Sequence, residues 1–195
     1  QQEFIDKTYA GHNKKFNEVT WFYVSTDNPA GNNNPEPDSY VSYNYADNSW
    51  TIGTLDRNVW NDSAGHRLVP FAFDSTGELY NHETGTSDDG GNMSCFIETS
   101  DLEISDSGSN LYMVDKIVPD AKMTADTTLS VELKTRKYPQ DPETTKGPFT
   151  ITQNTGKVST RARGRQVAVK FSSSGSTDDW QLGDFRINTR EDGIR

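Results

Sequence analysis

The feature that most constrains the fold of this chain is a set of short runs in which aromatic and β-branched residues alternate with small polar ones. The clearest run is SYVSYNYADNSWTIGTL (residues 39–55), where such residues recur at every second position on both sides of Asp47-Asn48. A period of two is typical of a half-buried strand, and a polar pair between two such runs predicts a turn. The segment therefore predicts a β-hairpin with strands 39–46 and 49–55, one aromatic face to bury and one wet face.

Three further stretches of the first half carry similar signals. Residues 16–25 (FNEVTWFYVS) predict a central strand, and the Pro, Gly and Asn residues of 27–38 predict a surface loop. Residues 68–74 and 78–85 flank a Ser-Thr-Gly turn and predict a second hairpin. Hairpins that cannot bury their hydrophobic faces alone are typical of stacked propeller blades. Residues 1–88 are therefore predicted to form a propeller-like hairpin region, with its remaining blades supplied by sequence outside this chain.

The second half is predicted to form a separate domain, residues 89–195. A polar, Gly-rich cluster at 84–92 divides the chain, and clean alternation follows it, as in Leu129, Val131 and Leu133. Six strands are predicted, over residues 93–105, 111–123, 128–138, 148–153, 165–173 and 179–189. This spacing predicts an antiparallel β-sandwich or jelly-roll-like domain. Because no segment has the period of an amphipathic helix, the predicted fold class is all-β.

Composition bears on whether the chain folds at all. Leu, Ile, Val and Phe make up 36 of the 195 residues and the net charge is -10, values that favour disorder. The 4 Trp, 8 Tyr and 9 Phe, spread along the chain, favour instead a folded protein with a modest core. No apolar run approaches the roughly 20 residues that cross a bilayer, and the first residues lack the pattern of a signal peptide.

Charge is unevenly divided along the chain. Residues 1–106 carry a net charge of -13, whereas residues 107–195 carry +3. Phosphate contacts need clustered Lys and Arg, so we do not expect nucleic acid to bind over the whole surface. The -13 against +3 difference indicates instead that the two halves have different electrostatic roles.

The main basic cluster is Arg161-Ala162-Arg163-Gly164-Arg165, extended by Lys157 and Lys170. On a strand, the three arginines would form a row on one face, with side chains about 7 Å apart. Such a row requires anions, either the phosphates of DNA or the carboxylates of a neighbouring subunit. We favour the subunit interface, because the first half of the same chain supplies a surplus of acidic groups.

No group of residues predicts catalysis, and we expect no enzyme activity, no metal and no cofactor. Three histidines lie in separate predicted loops or strand ends and are expected to be singly exposed: His12, His66 and His82. Carboxylate pairs such as Glu78 with Glu83, or Asp88 with Asp89, arise by chance among 29 acidic residues. Residues 88–92 lack the full spacing of a Ca²⁺ loop and predict a solvated turn. Cys95 has apolar or small neighbours and is expected to be a buried structural thiol.

The order of several segments resembles a known family. These segments are FNEVTWFYVS, SYVSYNYADNSWTIGTL, PFAFDSTGELYNHETG, SCFIETSDLEISD, LYMVDKIVPD, LKTRKYP, RARGRQVAVKFSS and DWQLGDFRINTREDGIR. Together they resemble the C-terminal part of tail hub or nozzle proteins of short-tailed bacteriophages. Some of these relatives are called packaged-DNA stabilisation or head-completion proteins. The resemblance runs across nearly the whole chain.

The resemblance implies a virion protein without catalytic function, assembled in the host cytoplasm. It implies a propeller-like region joined to β-sandwich domains, in a homo-oligomeric ring, suggested to be a hexamer, around the channel through which DNA leaves the capsid. Its expected partners are other tail or portal-adaptor proteins, with non-specific contact to packaged DNA. Family members are considerably longer and this sequence begins without Met, so we expect it to be a fragment or cleavage product.

The resemblance adds a mechanism to the charge asymmetry. An acidic channel wall repels phosphate and lets a duplex slide, while a few basic rings hold it until release. The main alternative is a carbohydrate-binding or depolymerising phage tail protein that acts on host surface polysaccharide. In that case the tryptophans would stack on sugar rings, whereas they are otherwise expected to anchor the core: Trp21, Trp50, Trp60 and Trp180.

Overall fold

The structure, a computed structural model, describes residues 2–27, 35–63, 66–104 and 110–193. The chain divides into two compact units, Gln1–Gly85 and Thr86–Arg195. The boundary predicted from the sequence lies after residue 88. Within the described ranges all regular structure is β-strand apart from one short 3₁₀ helix, Gln2–Lys7, and no helix has the length and apolar character needed to span a membrane.

The first unit contains two antiparallel sheets. One has four strands in the order β1-β2-β3-β4, and the other has three in the order β5-β6-β7. The strands are β1 (Tyr9–Asn13), β2 (Glu18–Tyr23), β3 (Ser39–Asn44), β4 (Ser49–Thr54), β5 (Val59–Asn61), β6 (Phe71–Phe73) and β7 (Leu79–Asn81). Of the predicted surface loop between β2 and β3, residues 28–34 lie outside the described ranges.

The predicted hairpin of residues 39–55 is present as β3 and β4, but its predicted two-residue turn is wrong. The strands pair from Ser39 with Thr54 to Asn44 with Ser49, which leaves a four-residue turn at 45–48. The Asn44 side chain ends β3 early, because its Oδ1 accepts hydrogen bonds from the backbone N–H groups of Ala46 (2.9 Å) and Asp47 (3.1 Å). An Asn side chain that bonds the backbone ahead of it in this way favours a turn over a continued strand.

Within the described ranges the second unit has ten strands and not the six predicted, because three predicted runs are each broken in two and the strand over residues 158–164 was not among the six. Its strands are β8 (Cys95–Glu98), β9 (Leu102–Glu103), β10 (Tyr112–Val118), β11 (Ala121–Met123), β12 (Leu129–Arg136), β13 (Thr144–Ile151), β14 (Val158–Gly164), β15 (Gln166–Ser173), β16 (Trp180–Leu182) and β17 (Arg186–Glu191). The larger sheets have the orders β13-β12-β15-β8 and β14-β10-β17; β9 also pairs with β15, and β11 pairs with β16. All of these pairings are antiparallel.

One hydrophobic core stabilises the second unit and draws on both of its larger sheets. The predicted alternation in β12 is confirmed, since Leu129, Val131 and Leu133 are fully buried and the residues between them are not. Val114 of β10 and Phe171 of β15 belong to the same cluster. The arrangement is therefore sandwich-like and confirms the all-β class, and no sheet of the described ranges closes into a barrel. The propeller and the jelly roll stay predictions.

The expectation that Cys95 is buried is wrong. Cys95 begins β8, which pairs with β15 at one end of its sheet, and every residue of β8 is exposed. The thiol lies on the surface with its Sγ atom 3.2 Å from Ser173 Oγ. Apolar neighbours in the sequence therefore did not predict burial, because Phe96 and Ile97 are exposed on the same edge strand.

Candidate interaction surfaces and binding pocket

The outer surface of the four-stranded sheet is aromatic and apolar. Opposite residues of antiparallel strands share one face, which here gives two rows across β2, β3 and β4. These rows, Trp21–Val41–Ile52 and Val19–Tyr43–Trp50, are together called the aromatic face. Trp50 is 62% exposed and Ile52 is 76% exposed, while the other four side chains are half-buried. The face that the sequence predicts to be buried therefore meets solvent.

Three rings of the aromatic face contact one another. The ring centroids of Trp21 and Trp50 lie 6.0 Å apart with planes inclined by 23°, and those of Tyr43 and Trp50 lie 4.6 Å apart. Each such pair of contacting rings contributes about 0.5–1.5 kcal/mol beyond the burial of its area. Exposed apolar surfaces of this kind mark sites of contact with other molecules.

The inner face of the same sheet is shaped by two glycines that accept aromatic rings. A Cβ atom at Gly11 would lie 2.4 Å from Cδ1 of Trp60, and one at Gly53 would lie 2.6 Å from the ring of Tyr40. Trp60 also donates a hydrogen bond from Nε1 to the carbonyl of His12 (3.1 Å) and packs against Phe22 at a centroid distance of 5.7 Å. Trp60 therefore packs on the inner face of the sheet. Its ring fits there only because Gly11 has no side chain.

Replacing Gly11 by Ala should destabilise the first unit. The added methyl group overlaps the Trp60 ring, and forced overpacking of this kind costs about 1–3 kcal/mol. Chemical unfolding followed by tryptophan fluorescence measures the loss. Gly156→Ala is the control, because no atom lies within 4 Å of its added Cβ. Equal stabilities of the two variants would contradict the packing of Trp60 on Gly11.

Beneath Trp60 lies a small pocket of about 280 Å³, which we call the inner pocket. It has aromatic walls and a polar floor. Its lining includes Asn13, Glu18, Thr20, Phe22, Tyr40, Ser42, Trp60, His82 and Glu83. These residues come from strands of both sheets and from the segment after β7, so no short motif of the sequence contains them.

The inner pocket carries two carboxylates, that of the half-buried Glu18 and that of the exposed Glu83. Burial, and then repulsion from Glu83, raises the pKa of Glu18. Burial also raises the pKa of Glu83, although the Asn13 hydrogen bond and the Lys15 charge oppose it. The pKa of Tyr40 is raised by burial and by both carboxylates. The pair that the structure brings together is thus Glu83 with Glu18, whereas Glu78 hydrogen-bonds to Tyr80 on the surface.

The expectation that every histidine is singly exposed is wrong for His82. His82 Nε2 accepts a hydrogen bond of 2.9 Å from Nε of the buried Arg57, and its ring packs on Trp60 at 4.7 Å between centroids. His66 is exposed and His12 is half-buried. Across the described ranges, no three His, Cys, Asp or Glu side chains are grouped as metal ligands.

The second unit carries a basic surface on the sheet β14-β10-β17. The register sets Arg163 opposite Met113 and Met113 opposite Arg190, so both arginines share the outward face. Alternation along each strand brings further cations to that face. We call the set the basic face: Lys116, Arg161, Arg163, Arg186 and Arg190. Three members of the basic face were not predicted from the sequence, because neighbours across a sheet are far apart in the chain: Lys116, Arg186 and Arg190.

The other predicted basic residues do not join this face. Arg165 follows the end of β14, and its guanidinium lies 4.7 Å from the centroid of the Tyr138 ring. Lys157 is exposed just before β14, and the Lys170 ammonium lies 4.9 Å from the ring centroid of Phe96. Within the basic face, Arg163 Nε pairs with Asp192 Oδ2 at 2.5 Å. The predicted row of three is therefore a row of two, Arg161 and Arg163, widened across neighbouring strands.

The four tryptophans differ in their surroundings. Trp60 and Trp180 are half-buried, and Trp180 Nε1 donates a hydrogen bond to Ser173 Oγ (3.0 Å) beside the core of the second unit. Trp21 and Trp50 belong to the aromatic face. No protein-family model matches the chain, and no curated protein matches it.

Proposed function

We propose that this chain is a structural subunit of the tail of a short-tailed bacteriophage. It forms part of the hub or nozzle ring that closes the DNA exit channel, retains packaged DNA and guides its ejection. The observation that carries the proposal is the aromatic face, with Trp50 62% and Ile52 76% exposed on a regular sheet. Trp and Tyr are the residues that most often dominate the binding energy of protein interfaces. A surface of this composition fits a subunit that is covered by a neighbour in its assembly.

A ring built head to tail requires two unlike surfaces on each subunit. The aromatic face supplies one surface for this assembly, and the basic face supplies a second of different chemistry. The basic face lies within residues 107–195, which carry a net charge of +3, whereas residues 1–106 carry -13. Attraction between the basic face of one copy and acidic groups of the next favours one direction of assembly. The remaining acidic surface then repels phosphate and keeps DNA free to slide.

Replacing Ile52 by Glu should convert the assembly into monomers without unfolding them. Ile52 is exposed, so the monomer loses little, whereas an interface would have to bury an unpaired carboxylate. Native mass spectrometry and two-dimensional class averages of the unsubstituted chain should give closed rings with a central hole. The same measurements on Ile52→Glu should give single copies with an unchanged melting temperature.

Leu68→Glu is the matched control, because Leu68 is an exposed aliphatic residue of the same unit that lies outside the aromatic face. Its rings should remain intact. Monomers of the unsubstituted chain at all concentrations would contradict the proposal, and so would rings that survive Ile52→Glu.

Carbohydrate binding is the second candidate, and the contacting rings of Trp21, Tyr43 and Trp50 favour it. Flat aromatic platforms stack on the apolar faces of sugars, and such stacking does not require a ring-shaped assembly. A glycan array probed with the unsubstituted chain and with Trp50→Ser separates the two functions. Sugar binding by monomers that is lost in Trp50→Ser would support this candidate in place of the structural one.

A further inference from the structure

We infer that the inner pocket of the first unit is a binding site for a small organic cation that carries ammonium groups. The inference is independent of the tail function, since it depends on the lining of the inner pocket and on neither surface described above. It is carried by an unpaired acceptor, two carboxylates and aromatic walls in one pocket of about 280 Å³.

The unpaired acceptor is the side-chain oxygen of Asn13. Asn13 is 3% exposed, and its Nδ2 donates a hydrogen bond of 2.9 Å to Glu83 Oε1. Its Oδ1 is buried and accepts no hydrogen bond from any residue of the described ranges. A buried acceptor without a donor costs about 1–3 kcal/mol, so a ligand that donates to Oδ1 gains that energy on binding.

The hydroxyl groups of the floor add to the acceptors. Ser42 Oγ lies 3.4 Å from the carbonyl of Val19, to which it donates, and Thr20 Oγ1 lies 2.8 Å from Ser42 Oγ. Either hydroxyl can be the donor of the bond between them. Both hydroxyl oxygens line the inner pocket together with the carboxylates of Glu18 and Glu83, and each oxygen can accept a further hydrogen bond. The lining demands a ligand with several donors.

The charge of the inner pocket selects a cation over a neutral polyol. The carboxylates of the half-buried Glu18 and the exposed Glu83 repel each other, and an ammonium group near both relieves that repulsion. The rings of Phe22, Tyr40 and Trp60 attract cations through their faces and pack on methylene groups. The resident Lys15 donates its hydrogen bond to the backbone carbonyl of Glu83 at 3.4 Å, and the Glu83 carboxylate accepts one hydrogen bond, from Asn13 through Oε1.

Size and ligand number exclude other occupants. A volume of about 280 Å³ equals that of roughly nine water molecules, enough for a short diamine but not for an oligosaccharide. A metal ion is the poorer occupant, because across the described ranges no three His, Cys, Asp or Glu side chains are grouped as its ligands, and Ca²⁺ needs six to eight oxygens. A linear diamine of four to five carbons matches both the volume and the acceptors.

Isothermal titration of the full chain with 1,4-diaminobutane tests the inference, with neutral 1,4-butanediol as the matched control ligand. The diamine should bind and shift the Trp60 indole signal in NMR spectra, and the diol should do neither. Glu18→Gln and Glu83→Gln should each weaken binding by about tenfold or more, because each removes one charge-assisted hydrogen bond. Gln at position 83 still accepts the Asn13 hydrogen bond, so the fold is retained.

Glu78→Gln is the control variant, since Glu78 is exposed outside the inner pocket and should leave the dissociation constant unchanged. Equal weakening by all three variants would overturn the inference and assign the binding to the overall negative charge. Equal binding of the diol and the diamine would overturn it and indicate a polyol site. Displacement of the diamine by stoichiometric Ca²⁺ would overturn it and indicate a metal site. No binding of the diamine at millimolar concentrations would also overturn it.

Discussion

The proposed ring of subunits should dissociate when Arg161 and Arg190 are both replaced by Glu. The two side chains lie on the outward face of β14 and β17, so the change reverses charge on both sides of β10 while leaving the core intact. Opposed charges across an interface that become like charges cost several kcal/mol, and loss of one buried pair alone costs about 2–5 kcal/mol. The free-energy cost of two such changes together exceeds the binding free energy of a moderately stable interface. Native mass at low and high salt measures the dissociation.

Lys122→Glu serves as the control for this charge reversal. Lys122 is an exposed cation on β11, outside the basic face, and its reversal should leave the rings intact. A higher salt concentration should also weaken the assembly of the unsubstituted chain, because it screens the charges that the double variant reverses. Intact rings in the double variant, with loss of DNA retention alone, would assign the basic face to phosphate and refute the subunit contact.

Most strands of the second unit were predictable, because each depends on neighbours within a few residues, but β14 was not among the predicted strands. Leu129, Val131 and Leu133 alternate with polar residues, and a period of two suffices to assign both the strand and its buried face. The breaks between β8 and β9 and between β16 and β17 were not predictable in this way. β16 pairs with β11 and β17 pairs with β10, and β8 and β9 pair with two parts of the continuous strand β15. Pairing partners are set by register across the sheet and not by the spacing of residues along one strand.

The candidate sites depend on contacts that sequence spacing does not encode. Asn13 meets Glu83 across 70 positions, and Trp60 packs over Gly11, which together decide which face of the first sheet is inward. The aromatic side of β3 and β4 was expected inside because aromatic residues are usually buried. Trp60 instead takes the inner face, where the glycines allow close approach, and the more apolar face is left outward. For the basic face, only the arginines of a single strand, Arg161 and Arg163, could be predicted from the sequence to lie side by side.

Replacing Phe171 by Ala should remove about 3–5 kcal/mol from the stability of the second unit, the range measured for buried Phe to Ala changes. Phe171 is fully buried in β15, lies opposite Val131 of β12 and packs on Phe185 at 5.2 Å between ring centroids. Its position between the strands β12 and β8 leaves little room for the cavity to collapse. Urea unfolding measures the loss, with Trp180, the one tryptophan in the sequence of Thr86–Arg195, as the reporter.

Phe96→Ala provides the matched control on the same sheet, because Phe96 pairs with β15 yet its ring is exposed. A substitution at an exposed site typically changes stability by less than about 0.5 kcal/mol, so the two phenylalanines should differ by several kcal/mol. Since Gln1–Gly85 is a separate compact unit, tryptophan signals from that unit should report the same midpoint in all three proteins. Equal losses for Phe96→Ala and Phe171→Ala would mean that the two larger sheets do not enclose a common core.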